Sequence, residues 1–256
     1  MKPNPKKKKS KYLITGTTSG LGKYLQDQLS GISFNRDSTT VEEVDVIIHC
    51  AFNSAREINY RNLYRYLSDN IFLTKKLAKI PHKKFIYISS VDVYPKNNKK
   101  HSENEVIDIN QTSSIYATTK LMSESIIQNL CPNFLILRCT ALLGRDSREN
   151  SLIKIIKEEN PTLTLSADSV FNYILHKDVL EFIKIAVEKN LQGAYNLSSS
   201  KNITLLEITE LLGKKVSFGN YTYNVGNIDN EKASKLLPSF KKTSREVVSE
   251  LTKLIA

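Results

Sequence analysis

Thr15-Gly16-Thr17-Thr18-Ser19-Gly20-Leu21-Gly22 joins a short apolar run, Lys11–Thr15 (KYLIT), to a stretch in which Leu21, Tyr24, Leu25 and Leu29 recur at helical spacing. The run reads as a buried strand, and Gly31 stops the helix over Gly20–Ser30. A small-residue turn between strand and helix has two physical uses. The backbone must turn sharply, and it must approach a pyrophosphate without Cβ atoms in the way. The N–H groups that open the helix then bind the anion, helped by the helix dipole. Gly16, Thr18, Ser19, Gly20, Leu21 and Gly22 are therefore candidate phosphate-contacting positions. A ligand-free tight turn would use the same glycines; the placement between a buried strand and an amphipathic helix favours the dinucleotide reading.

Outward from this turn, strands and helices alternate. Ile32–Phe34, Val44–Cys50, Lys84–Ser89 and Phe134–Arg138 read as strands, and Tyr60–Lys79 and Ile115–Leu130 as helices ended by Pro81 and Pro132. That alternation predicts an α/β fold: a Rossmann-type doubly wound parallel sheet covered by helices on both faces. Beyond residue 140 the pattern is less regular, with helices over Ser151–Glu159, Lys177–Lys189 and Leu205–Leu212 and a strand at Ala194–Leu197. The expected organisation is a basic disordered tail (1–10), a dinucleotide-binding domain (11–140) and a small C-terminal α/β substrate lobe (141–256), with about 172–197 returning to the core.

The chain of 256 residues is 40% apolar and 25% charged, the balance of a water-soluble globular protein. No run of apolar residues is long enough to predict a membrane span, and the lysine-rich start lacks the apolar segment of an export signal. Of the net charge of +11, six lysines sit in the first eleven residues (Lys2, Lys6, Lys7, Lys8, Lys9, Lys11). No aromatic residue interleaves with them and the body holds no basic-region or zinc-finger pattern, so a nucleic-acid partner is not expected. Cys50, Cys131 and Cys139 are odd in number and form no close pair, which fits a reducing, cytoplasmic setting. The four histidines are scattered, so no metal site is expected.

The second strand ends at Phe34-Asn35-Arg36-Asp37. An acid there would bind the ribose 2′-hydroxyl of NAD, and an arginine the 2′-phosphate of NADP. Asn35 and Arg36 favour NADP; Asp37 keeps NAD open. Tyr116 and Lys120 are four apart on a predicted helix and share one face. An ammonium beside a phenol favours the phenolate, which suits the tyrosine for proton exchange with a substrate hydroxyl or carbonyl. Such a pair is common by chance, and a serine pair after a strand is ordinary turn chemistry. Ser89 and Ser90, however, end a strand at the carboxyl edge of the sheet, where α/β proteins bind ligands. A hydroxyl there can hold the substrate oxygen on which charge develops.

These motifs together resemble the extended branch of the short-chain dehydrogenase/reductase superfamily, over roughly residues 11–200. Gly16 and Gly22 fit its glycine turn, while Ser19 stands where extended members usually carry glycine. His49-Cys50-Ala51 resembles the segment passing under the cofactor, and Asn70, with Thr74, the helix position that supports the active site. Ser89-Ser90-Val91-Asp92-Val93-Tyr94 resembles the catalytic serine segment, with Ser90 as its functional hydroxyl. Leu137-Arg138 through Gly144, Tyr173-Ile174 and Asp178-Val179 resemble the segments that enter and leave the substrate lobe.

The resemblance implies an NAD(P)-dependent reductase or epimerase of a sugar, nucleotide-linked as in much of that family. Ser90, Tyr116 and Lys120 would be catalytic, and Cys50, Ala51, Asn70, Tyr116 and Lys120 would join the turn, Asn35 and Arg36 around the cofactor. Three departures bear on the reaction. Dehydratases of this kind carry an acid directly after the catalytic hydroxyl, where this chain has Val91, so dehydration is disfavoured. Phe171 stands where many members carry the arginine that binds the substrate diphosphate, leaving Arg145 or Arg148 to substitute. The short interval between glycine turn and Val44 implies a missing or shrunken strand and helix. The resemblance also implies a homodimer through Tyr60–Lys79 and Ile115–Leu130. The alternative is a catalytically silent nucleotide-binding module acting as a sensor or structural partner, which would need no proton donor.

Overall fold

The computed structural model describes residues 10–35, 38, 43–55, 57–112 and 114–255. Six parallel strands form the central sheet: β1 (Tyr12–Thr15), β2 (Ile32–Phe34), β3 (Val44–His49), β4 (His82–Ser90), β5 (Phe134–Cys139) and β6 (Gly193–Leu197), in the order β6-β5-β4-β3-β1-β2. Parallel neighbours need crossovers. Helix α1 (Gly20–Leu29) links β1 to β2, α2 (the helical run Leu63–Leu67, Ser68–Phe72, Leu73–Ala78) links β3 to β4, and α3 (Ile115–Leu130) links β4 to β5. The chain passes from β2 across β1 to β3, and β2 is one of the sheet's two edge strands. Of the interval in which a strand and helix are expected to be missing or shrunken, β2 is short, and most of the stretch between it and Val44 lies outside the described residues. The direction reverses at β1, so the crevice between the carboxyl ends of β1 and β3 is the topological switch point where such sheets bind ligands.

Alternation along each strand feeds two cores. Ile14, Val46, Ile48, Ile86, Leu135 and Leu137 pack with α1 and with Phe182 and Ile183; Leu13, Ile47, Phe85, Tyr87 and Ile136 pack with Leu77 and Ile127. Fully burying each such side chain is worth about 1.5–3 kcal/mol. Burial on both faces explains why these strands read as continuous apolar runs.

After β5 come Ala141–Leu143, α4 (Ser151–Lys157), a strand Tyr173–Leu175 paired with Ala141–Leu143, and α5 (His176–Glu188), which leads back to β6. A further apolar cluster joins Leu152, Ile155 and Tyr173 to Leu205 and Ile208 of α6 (Leu205–Leu212) and to Val248 and Leu251 of α7 (Ser244–Ile255). Thr204 and Glu207 cap α6 reciprocally and Gly213 closes it in the left-handed conformation. Helix α7 was not anticipated. Its signal is a capping box in which Thr243 N donates to the Glu246 carboxylate and Glu246 N to Thr243 Oγ1. Among the described residues no helix is long and apolar enough to cross a membrane.

Candidate active site

The glycine turn has no room for side chains. A Cβ on Gly22 would lie 2.3 Å from Gly16 O, and one on Gly16 would lie 2.9 Å from Ala51 N, with Gly16 at φ +72° besides. Opposite the turn, a directional chain of hydrogen bonds fixes the segment after β3. Cys50 N and Ala51 N both donate to Thr15 Oγ1 (3.1 and 3.0 Å). The Thr15 proton is then left for His49 Nδ1 at 2.8 Å. His49 carries its own proton on Nε2 and donates it to Thr74 Oγ1 (3.0 Å), which donates to Asn70 O (2.7 Å). Burial, then the Lys120 charge, holds the His49 imidazolium down to a pKa of about 3, so the ring stays neutral.

Asn70 lies in the π-helical turn Ser68–Phe72, a widening that composition does not reveal. Its side chain does not line the cleft. Oδ1 accepts from Asn53 N (2.7 Å) and Nδ2 donates to Asn53 O (3.1 Å), so it clamps the segment after β3. Sequence-based placement of Asn70 around the cofactor becomes, in the structure, support from behind.

Ser90, Tyr116 and Lys120 converge on one cleft. Ser90 ends β4, and Tyr116 and Lys120 lie on successive turns of α3, whose start is capped by Ser114 Oγ accepting from Ala117 N. The cleft encloses about 370 Å³, and its walls include Gly16, Ser19, Gly20, Leu21 and Gly22 on one side, Cys50, Ser90, Tyr116 and Lys120 at the centre, and Phe171 and Tyr223 opposite. A second compartment of about 560 Å³ continues past the turn, bounded by Thr18, Phe34, Asn35 and Ala51. The first suits a nicotinamide and a substrate, and the second an adenosine. Of the residues read from sequence as cofactor or catalytic positions, all but Asn70 and Arg36 line these two spaces. Arg36 lies outside the described residues.

Lys120 is buried. Its Nζ donates to Ile88 O (2.8 Å) and lies 4.2 Å from the centre of the Phe52 ring, 4.9 Å from that of Tyr87 and 5.9 Å from that of Tyr116. Burial lowers its pKa to about 8. Tyr116 does not show the depressed phenol expected from its lysine. Burial, then the Asp92 carboxylate, raises it above its ordinary value, and a hydrogen bond with Ser90 pulls the other way. The physical reason is that burial disfavours the phenolate, while the Lys120 ammonium points to Ile88 O and stays 5.9 Å from the centre of the Tyr116 ring. Tyr116 is therefore a proton-holding phenol at neutral pH, close to a hydroxyl that shares the cleft.

Asp92 accepts from Lys96 Nζ (2.6 Å) and Tyr223 Oη (2.9 Å) and lies 3.4 Å from Ser90 Oγ. Tyr223 comes from an irregular segment of the C-terminal part and carries no motif; its ring lies tilted against Phe171, centres 4.8 Å apart. Val91 is buried against the cleft where a dehydratase-type acid would stand. Arg145 donates to Leu254 O and Arg148 to Ser19 Oγ, so neither bonds beside Phe171. Among the described residues no group of His, Cys, Asp and Glu could hold a metal ion.

A cradle that a Cβ would fill, at the switch point of a parallel sheet, fits a dinucleotide, and the comparisons with known proteins agree. Residues 33–198 match the family described as the NAD dependent epimerase/dehydratase family. A dTDP-D-glucose 4,6-dehydratase of Dictyostelium discoideum is 22% identical over 193 residues, covering 66% of this chain and 44% of that protein, so the match spans less than half of that relative. Among solved structures, MoeE5 in complex with UDP-glucose and NAD superposes with a TM-score of 0.81 at 16% identity, over 95% of this chain and 98% of that one. UDP-glucuronic acid 4-epimerase from Bacillus cereus, in complex with UDP-glucuronic acid and NAD, gives 0.76 at 21% identity over 96% and 98%. The dTDP-4-dehydrorhamnose reductase from Bacillus anthracis, in complex with NADP, gives 0.77 at 18% identity over 95% and 99%. At these identities the structural likeness speaks for the fold, and the family match speaks for the sequence. The chain belongs to the NAD-dependent epimerase/dehydratase family, within the extended short-chain dehydrogenase/reductase superfamily.

Proposed function

We propose that this protein reduces or epimerises a keto or hydroxyl carbon of a nucleotide-linked sugar with NADP. The observation that carries the reading is the meeting of Ser90, Tyr116 and Lys120 in the cleft that the glycine turn opens. A bound nicotinamide would supply or take up the hydride. Ser90 donates to the substrate oxygen as negative charge develops on it. Tyr116, held protonated by burial, gives its proton to that oxygen in the reducing direction and takes one back in the oxidising direction. Lys120 keeps a positive charge near the Tyr116 ring at neutral pH and would hold the nicotinamide ribose. Val91 offers no proton for a leaving hydroxyl, which weighs against dehydration. A silent sensor would have no use for Ser90 and Tyr116 facing each other.

The choice of NADP rests on the sequence placing Arg36 directly after Asn35, which lines the second compartment. A homodimer is proposed from the apolar side chains that α2 and α3 leave exposed: Tyr64, Phe72, Ile115 and Met122, with Tyr60 beside them. Incubation with UDP-glucuronic acid, UDP-glucose and 4-keto sugar nucleotides, each with NADPH or NAD, tests the chemistry. Net consumption of reduced cofactor identifies a reductase, and a C4-inverted sugar without net consumption identifies an epimerase. An unsaturated or deoxygenated product, or no turnover of any of them, counts against the proposal.

A further inference from the structure

Residues 144–150, between the strand Ala141–Leu143 and α4, run past the glycine turn, where three contacts pin them. Gly20 N donates to Asp146 O (2.7 Å), Lys23 Nζ pairs with the Asp146 carboxylate (3.2 Å), and Arg148 Nε donates to Ser19 Oγ (2.8 Å). Ser19 precedes α1 but its hydroxyl caps no helix N–H, so its described bond is the one from Arg148. Gly16, Phe52 and Arg148 line both compartments of the cleft, and of these three only Arg148 is charged. A dinucleotide that fills both compartments must place its pyrophosphate at their junction.

We propose that Arg148 is a cofactor-binding residue that clamps the dinucleotide pyrophosphate against the glycine turn. The inference rests on the reading of the cleft as a dinucleotide site. The turn itself offers N–H dipoles worth about half a charge, whereas a pyrophosphate carries two full negative charges. A guanidinium matches two phosphate oxygens through its fork, and the exposed Arg148 side chain keeps its terminal amino groups unbonded among the described residues. Clamping exchanges one hydrogen bond to a neutral hydroxyl for charge-assisted ones. It also explains why a serine serves where extended relatives usually carry glycine: Ser19 Oγ parks the guanidinium beside the turn. The same diphosphate chemistry could come from the nucleotide of a substrate, and the test separates the two sources.

Calorimetric titration of the full chain with ADP-ribose, adenosine and UDP compares wild type, Arg148→Ala and Arg148→Lys. The proposal predicts that Arg148→Ala weakens ADP-ribose about tenfold or more, while adenosine and UDP stay within about threefold. Arg148→Lys should fall between, since an ammonium keeps the charge and loses the fork. Unchanged ADP-ribose affinity overturns the proposal. So does equal weakening of adenosine and ADP-ribose, which would mean a disturbed turn, or loss of UDP binding alone, which would assign Arg148 to a substrate diphosphate. Wild type that binds neither ADP-ribose nor adenosine overturns the dinucleotide reading itself.

Discussion

Glu124 and Arg138 form a buried two-point ion pair beneath the serine segment. Arg138 NH2 donates to Glu124 Oε2 at 2.7 Å and Arg138 Nε to Oε1 at 3.2 Å, with both side chains at most 7% exposed. Glu124 stands one helical turn after Lys120 and two after Tyr116. Ser89 Oγ donates to the same carboxylate, and the other arm of Arg138 donates to Tyr94 Oη (2.9 Å), which donates to Asn196. One charge pair thus ties together α3, β4, β5 and β6, the elements that carry or flank Ser90, Tyr116 and Lys120.

Breaking a buried pair from one side costs about 3–5 kcal/mol, because the remaining charge is stranded. Glu124→Ala should therefore lower the unfolding temperature by roughly 10 °C. Glu124→Leu with Arg138→Met, which removes both charges, should recover much of that loss. Thermal unfolding of the three chains checks both statements.

Gly22→Ala should abolish dinucleotide binding, because its methyl would sit 2.3 Å from the Gly16 carbonyl and force the turn open. Gly20→Ala meets no atom within 4 Å but must hold φ +60°, so it should cost about 1 kcal/mol of stability and weaken binding far less. Fluorescence titration with NADPH, paired with unfolding curves, separates the two effects.

Lys120 is buried with a pKa of about 8 against an ordinary 10.5. Below pH 8 the folded and unfolded lysines are both charged, and the folded chain bears the burial cost. Between about 8 and 10.5 the folded lysine gives up its proton first, so its penalty fades and stability rises with pH. Lys120→Met should therefore stabilise the chain near neutral pH by on the order of 3 kcal/mol, read as a higher unfolding temperature. That gain should shrink above pH 8, and turnover should be lost throughout. Unfolding curves of both chains from pH 6 to about 10 check the sign.

The thiols invite a reactive reading because Lys120 lies near Cys50 and Cys139. Burial outweighs the lysine: the Cys50 thiol is pushed up to about 12, Cys131 to about 11, and Cys139 is raised as well. Iodoacetamide at pH 7–8 should leave all three unmodified in the native chain and label all three in urea, read by intact mass.

Much of the core was legible because burial on both faces makes β1, β3, β4 and β5 plain apolar runs, and because Pro81 and Pro132 punctuate the helices. Ile115–Leu130 and Leu205–Leu212 were read to the residue. What stayed hidden depends on three-dimensional register. The π-helical turn at Ser68–Phe72 changes hydrogen bonding without changing composition, and it turns Asn70 toward Asn53. Tyr223 reaches Asp92 from a segment without periodicity. The raised Tyr116 phenol follows from its burial and from the Asp92 carboxylate, neither of which four-residue spacing specifies.

Gly16–Gly22 and the helix bearing Tyr116 and Lys120 should together hold a nicotinamide dinucleotide. Thermal unfolding of wild type, Arg36→Ala and Gly22→Ala with NADPH and with NADH tests it most directly. At a hundredfold excess over its dissociation constant the cofactor should add about 2.7 kcal/mol of stability. Wild type should show that shift with NADPH, Arg36→Ala a smaller one and Gly22→Ala none. No shift of wild type with either nucleotide would contradict it.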